Sequence, residues 1–268
     1  MRILLLGHRE IASNLGISLL VQGLQEFDLR IALSGAGEEA KSDHGPELAE
    51  LNKVEQAMCD ILDKGLPGPV AAQVGLFGFK DLARQTGKPV EMLPSPNSPE
   101  GLGKLRSWAP DLILSLRYRK ILYDEAIAQP RLGVLNLHSG LLPDFRGVMA
   151  TFHAMLAGSG KIGSTLHLIT DSGIDTGPII ATCPIDADYE ATYLDNVFRL
   201  YPTGCARMVE AVNELASGKL LIKREKATQG NYFSTPTPDL CTKFRQAGLR
   251  LCDGKELERH ISRLLIPH

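Results

Sequence analysis

The 268-residue chain predicts an α/β protein built on a doubly wound, mostly parallel sheet. Three observations predict it. The chain opens on a short apolar run, Arg2–Leu6, closed by Gly7. A strand buried on both faces reads that way, without alternation. A helical stretch from near Ile11 to Gly23 and a second apolar run, Phe27–Leu33, follow at once. Strand, helix, strand is the opening unit of such a sheet. Two more short apolar runs, Asp111–Leu116 (DLILSL) after Pro110 and Gly133–Leu137 (GVLNL), then supply further strands of the same kind. The order is Rossmann-like, with a short appendage at the C-terminal end.

The remaining elements follow in turn. Glu47–Leu62 carries Leu48, Leu51, Val54, Met58, Ile61 and Leu62 at helical spacing and stops at Gly65, with prolines at 67 and 69. Phe77–Arg84 reads as a short helix, Lys88–Leu93 as a strand and SPNSPEG as a loop. Leu141–Pro143 is a loop, Gly147–Ala157 a helix, and Gly163–Thr170 and Ile179–Pro184 are strands. Ala191–Leu215 is a long helix broken near Pro202. The last 40 residues change character: NYFSTPTP is rich in turn residues, and Asp239–Ala247 and Lys255–Leu265 are helix-like. Residues 1–225 are thus expected to form one domain, and 226–268 an extension too small to fold alone.

Charge narrows the function. Lys and Arg number 29 against 31 Asp and Glu, a net charge of -2. That argues against a broad nucleic-acid or membrane surface and leaves room for a local basic patch. The first ten residues hold a short apolar run, far below a secretory core, and no stretch approaches the ~18 apolar residues of a membrane span. Cys59, Cys183, Cys205, Cys241 and Cys252 are scattered, with no C-x-x-C pair, and read as free thiols of a cytoplasmic protein. No H-E-x-x-H pattern and no paired cysteines suggest a metal site.

Two segments carry chemistry. In GVLNLHSGLLPDFRG, Asn136 and His138 stand two residues apart, on one face of a strand running into Ser139, Gly140 and Pro143. In GSTLHLITDSGIDTGPII, a strand ends in an acidic, glycine-rich turn with Asp171 and Asp175. A carboxamide and an imidazole side by side, with a carboxylate from a later loop, can hold an oxyanion and move protons. Taken singly, each has a plainer reading: a turn asparagine, a strand-end histidine, a turn aspartate. His167, on the strand before the acidic turn, reads as a buried, hydrogen-bonded histidine. GHREIASNLG (Gly7–Gly16) is not G-x-G-x-x-G, so a dinucleotide site is poorly supported. His8, Arg9 and the backbone of Ile11–Ser13 either hold an anion at a helix start or form a plain loop.

The Asn-x-His pair followed by SGLLP, with the later D-x-G-P, resembles the formyltransferases that use 10-formyltetrahydrofolate as formyl donor. The likeness is close from about Asp111 to Leu220, looser over Met1–Leu33, and weak elsewhere. It implies Asn136, His138 and Asp175 as catalytic residues. It implies a donor pocket walled by Leu116, Tyr118 and Ile121 and by the stretch with Ile169, Thr170 and Asp171. Arg117, Arg119 and Lys120 then meet the donor's glutamate tail or an acceptor phosphate, or are simply solvated. Part of Gly35–Phe79 reads as an insertion relative to the family core, shaping an acceptor site or an interface. His167 takes a place beside the site. Relatives acting on initiator tRNA carry a further C-terminal β-barrel and basic surfaces, and the purine-pathway enzyme a glycine- and serine-rich phosphate cradle. Neither pattern is seen here. The acceptor expected is therefore the amine of a small molecule, with an amino-sugar nucleotide ahead of a hydroxyornithine-like or glycinamide-ribonucleotide-like one. The alternatives are a formyltetrahydrofolate hydrolase and a non-catalytic folate- or nucleotide-binding module. Tyr232–Pro236 resembles appendages that some sugar N-formyltransferases use to form a homodimer.

Overall fold

The computed structural model describes residues 1–36, 45–65, 76–219 and 230–253. Its centre is a seven-stranded sheet of β1 (Arg2–Arg9), β2 (Asp28–Ala36), β3 (Glu91–Met92), β4 (Leu112–Leu116), β5 (Val134–His138), β7 (Lys161–Ile169) and β8 (Ile179–Asp186). A separate parallel pair, β6 (Phe145–Gly147) and β9 (Asn231–Phe233), lies outside it. Across the sheet the order is β3-β2-β1-β4-β5-β7-β8. Only β7 runs against the others, antiparallel to both β5 and β8. The chain winds outward from β1 through β2 to β3, then returns to β4 on the other side of β1. The order therefore reverses between β1 and β4, where α/β sheets of this kind bind ligands beyond their strand ends.

Alternation along the strands divides the core between the two faces. Ile3 and Leu5 of β1 join Leu112 and Leu114 of β4 on one face, under α1 (Ile11–Gly23) and α7 (Tyr193–Ala216). Leu4 and Leu6 join Ile113 and Val134 on the other, with Leu102 and Leu105 of α4 (Pro99–Trp108). Both faces are covered, so β1 and β4 need no polar side and read as continuous apolar runs.

The other helices are α2 (Pro46–Lys64), α3 (Phe79–Thr86), α5 (Asp124–Ile127), α6 (Ala150–Leu156) and α8 (Pro238–Gln246). The described part of the 35–79 region is integral to the body, because Leu48, Leu51, Met58 and Leu62 of α2 lie in the larger core. Four local expectations need correction. The strand at Lys88–Leu93 shrinks to two residues. The SPNSPEG loop contains a helix start: Ser98 accepts from the Gly101 amide and Pro99 takes the first helical position. Proline there loses no hydrogen bond the helix would have made, so the Ser-Pro pair opens α4 and is no barrier to it. The helix expected from Gly147 starts at Ala150, because Phe145–Gly147 is drawn into β6. Finally, α7 continues through Pro202. Pro202 is exposed while Phe198, Tyr201 and Cys205 are buried. Packing along that face holds together a helix that proline alone would interrupt.

After residue 230 the chain returns to the body. Phe244 of α8 stacks on Phe152 of α6 with ring centres 4.4 Å apart, and Cys241, Leu249 and Leu251 join the larger core. The expected boundary at 225/226 and the helix at Lys255–Leu265 lie outside the described residues. Among the described residues, no helix is long and apolar enough to cross a membrane.

Candidate active site

The C-terminal end of β5 brings the predicted side chains together. Register sets Asn136 beside Ser115 of β4 on one side and opposite His167 of β7 on the other. Asn136 and His167 are thus cross-strand neighbours, and their side chains meet at 3.0 Å, Asn136 Nδ2 to His167 Nε2. His138 is the last residue of β5. Its Nε2 donates to the Phe145 carbonyl at 2.7 Å. Gly140 makes that contact possible, since a Cβ there would fall 2.6 Å from Nε2 and 2.7 Å from the same carbonyl oxygen.

Asp175 comes from the loop between β7 and β8 and has left-handed backbone (φ 54°), which aspartate tolerates better than most residues. Its Oδ2 lies 3.3 Å from His138 Nδ1 and accepts the Gly147 amide at 2.9 Å; its Oδ1 lies 3.4 Å from His167 Nε2. Two contacts compete at His167 Nε2, and the shorter decides. His167 Nδ1 donates to the Leu168 carbonyl at 2.9 Å, so Nε2 of the neutral ring offers a lone pair to one Asn136 N–H. The second N–H of Asn136 stays available. At His138 both ring nitrogens face acceptors, a carbonyl and a carboxylate, which is the arrangement of an imidazolium. Burial alone would raise the Asp175 carboxyl. The His138 ring and the Gly147 amide act together against it, and the group is held down at about 2.

Asn136, His138, His167 and Asp175 open onto a cavity of about 540 Å³. Tyr118, Ile121, Ile169 and Asp171 also line it. Tyr118 offers its ring, because its hydroxyl is committed to the Leu93 carbonyl. Leu116 and Thr170 do not line the cavity. Leu116 is fully buried in the larger core, and alternation turns Ser115 and Arg117 toward the cavity in its place. Thr170 is exposed, while its neighbours Ile169 and Asp171 face in. The opposite wall includes Leu51, Asn52 and Glu55 of α2, which were not among the expected site residues.

At the ends of β1 and β4 lies a second polar cluster. Glu10 caps α1, accepting the Ser13 amide at 2.8 Å. It binds Arg117 through both oxygens, at 2.5 Å to Nε and 2.8 Å to Nη2, and Arg117 Nη2 reaches Glu55 at 3.1 Å. Burial would raise the Glu10 carboxyl, but Arg117 brings it down to about 2. Glu55 is pushed well up by burial and by Glu10 beside it, so it is the protonated member of the pair. The helix start considered for an external anion is therefore filled by the chain's own carboxylate. Arg9 is likewise committed, to Asp60 and Asp63, and His8 Nδ1 bonds the Ser34 hydroxyl. Arg117 is tied into this cluster by its two carboxyl partners, and Arg117, Arg119 and Lys120 all line the cavity. An acidic residue directly before I-A-S was the signal for the cap. No group of three metal-ligating side chains occurs among the described residues.

Residues 85–210 match the family model described as formyl transferase. A methionyl-tRNA formyltransferase of Caldanaerobacter subterraneus is 32% identical over 171 residues, which are 63% of this chain and 54% of that protein. The chain spans about half the length of the curated relatives it matches. In fold it resembles glycinamide ribonucleotide transformylase 1 from Symbiobacterium toebii (TM-score 0.60, 19% identity, 85% of this chain and 93% of that one). It also resembles WlaRD, a sugar 3N-formyl transferase solved in the presence of dTDP and 5-N-formyl-THF (TM-score 0.54, 16% identity, 87% of this chain and 69% of that one). The matched segment, residues 85–210, contains Asn136, His138, His167 and Asp175, and it belongs to the formyl transferase family.

Proposed function

We propose that this chain transfers the formyl group of 10-formyltetrahydrofolate to the amine of a small molecule, with an amino-sugar nucleotide the leading acceptor class. The observation that carries the reading is the convergence of Asn136, His138 and Asp175 on one cavity, with the carboxylate 3.3 Å from the imidazole. When the amine attacks the formyl carbon, the carbonyl oxygen becomes an oxyanion. The spare N–H of Asn136 and the loosely shared Nδ1–H of His138 are the donors for it. The attacking nitrogen must then lose a proton and the folate N10 must gain one. The low-lying Asp175 carboxylate is placed to order the water that takes the first, and the His138 imidazolium can supply the second. His138 and Asp175 stand slightly beyond ideal hydrogen-bond distance, as such pairs often do before substrate enters.

The donor's flat heterocycle suits the wall of Tyr118, Ile121 and Ile169, with Asp171 and backbone groups for its polar edge. The 5-N-formyl-THF present with WlaRD supports a folate in this fold. The neutral Glu55 carboxyl, the Asn52 amide and the Tyr193 ring also line the cavity. Such groups suit a hydroxylated acceptor and motivate the sugar reading.

A panel tests it. Donor consumption is followed with amino-sugar nucleotides, hydroxyornithine, glycinamide ribonucleotide, methionyl-tRNA and water alone. A formylated small amine, its formation abolished in Asn136→Ala, is expected. Formate as sole product would mean a hydrolase, and folate binding without turnover a binding module. Formylated methionyl-tRNA alone would replace the acceptor.

A further inference from the structure

We infer that the strand pair β6–β9 is a clasp that sets the His138–Asp175 geometry, with Gly147 and Phe233 as its positioning residues; the inference rests on the formyl-transfer reading. β6 is three residues long and grips both members of the pair through its backbone. The Phe145 carbonyl at one end accepts from His138 Nε2 at 2.7 Å. The Gly147 amide at the other donates to Asp175 Oδ2 at 2.9 Å. A displacement of β6 thus moves both partners of the imidazole–carboxylate contact at once.

Among the described residues β6 shares no ladder with the main sheet, and its strand partner is β9, 86 residues later in the chain. Phe145, Arg146 and Gly147 align with Asn231, Tyr232 and Phe233, and the Val148 amide donates to the Phe233 carbonyl at 2.8 Å. An isolated two-stranded ribbon is marginal by itself, so side-chain packing must hold it. Phe233 does so from both sides: its ring stacks on Phe145 at 5.8 Å and on His153 of α6 at 4.4 Å. His153 Nε2 in turn donates to the Ser234 carbonyl at 3.2 Å. The approach is close enough to exclude a side chain at Gly147, where φ is 96° and a Cβ would lie 2.1 Å from the Phe233 oxygen. Thr235, two residues beyond, lines the cavity.

By resemblance alone, Tyr232–Pro236 would serve assembly and stand apart from the formyl chemistry. The clasp gives it a part in that chemistry without any contact to the reacting atoms. Catalysis depends steeply on such placement, an error of about 1 Å costing on the order of 10²-fold.

The test compares Phe233→Ala, Phe233→Leu and Gly147→Ala with wild type, and with Gln246→Ala as an exposed control in the same segment. Turnover and KM for the folate donor are measured. The His138 ring nitrogens are followed by 15N NMR, the signal being assigned through His138→Gln. Phe233→Ala should lower kcat by about 10–100-fold with KM changed less than about twofold, and the His138 Nε2 signal should move. Phe233→Leu should recover most of the rate. If Phe233→Ala does not fold, Phe233→Leu and Gly147→Ala carry the comparison, and Gly147→Ala should shift the His138 signal more. Folded variants with wild-type kcat, or with a raised KM alone, or with an unmoved His138 signal, would overturn the clasp. Wild-type protein that consumes no donor would instead refute the formyl-transfer reading. The NMR comparison would still decide whether β9 sets the state of His138.

Discussion

Two polar clusters sit at neighbouring strand ends and differ in how tightly their hydrogen bonds are committed. At the end of β5, Asn136, His138, His167 and Asp175 touch at 3.0–3.4 Å and face the cavity, and Asn136 keeps an N–H to spare. At the ends of β1 and β4, Glu10, Arg117 and Glu55 are closed on one another, with Glu10 fully buried and Arg117 held at 2.5–3.1 Å. Both hold carboxylates displaced from their ordinary range. A displaced carboxyl therefore does not identify a reactive site by itself. Unshared donors in an open cavity distinguish the first cluster. The second reads as a buried ion network that shapes the cavity wall.

The two clusters should respond differently to mutation. The largest effect belongs to the open cluster. His138→Ala should lower turnover by about 10²–10⁴-fold in steady-state assays, while the midpoint of urea unfolding stays near wild type. Asp175→Asn, which keeps a residue tolerant of the left-handed backbone, should act in the same range. Next comes the closed cluster, with the opposite signature. Arg117→Met leaves Glu10 buried without its cation and should cost about 3–5 kcal/mol in urea unfolding, because an unpaired buried charge is far worse than none.

Two smaller effects sharpen the contrast. The Asp175 carboxyl is depressed from its ordinary 3.8 to about 2 in the folded state. A depressed acid stabilises the fold above its unfolded pKa and loses that contribution as pH falls through the folded one. The share due to Asp175 should thus be intact at pH 5 and disappear between about pH 4 and 2. It is on the order of 2 kcal/mol. Acid unfolding of Asp175→Asn should lack that component. Smallest of all, Glu55→Gln should change stability by less than about 1 kcal/mol, since an amide replaces an already neutral carboxyl. A loss as large as that of Arg117→Met would show that Glu55 is ionised and that the cluster is misread.

Much of this was legible because the information is local. The unbroken apolar runs Ile3–Leu6 and Leu112–Leu114 specify strands covered on both faces, and the N-x-H spacing on β5 places Asn136 and His138 on one side whatever else the chain does. The Asp175 loop could be recognised from its glycine-rich turn. Other features were hidden because they depend on distant partners. Pro202 signals a break, yet α7 runs on because its buried face is held by the sheet beneath it. Leu116 looks like a pocket residue by position, and only the sheet's layering sends it into the core.

The sequence by itself thus determined the strand-rich α/β pattern, the shared face of Asn136 and His138, and the acidic turn that supplies a carboxylate. Each follows from the period of a strand or the preference of a turn. Tertiary structure alone decided that Arg117 would close on Glu10, that Glu55 of α2 would reach Arg117 and join the cavity wall, and that Phe145 and Phe233 would meet. These are pairings between residues 62 to 107 positions apart. No periodicity encodes such pairings, because they exist only once burial has brought the partners within reach and made an unpaired polar group too costly to leave.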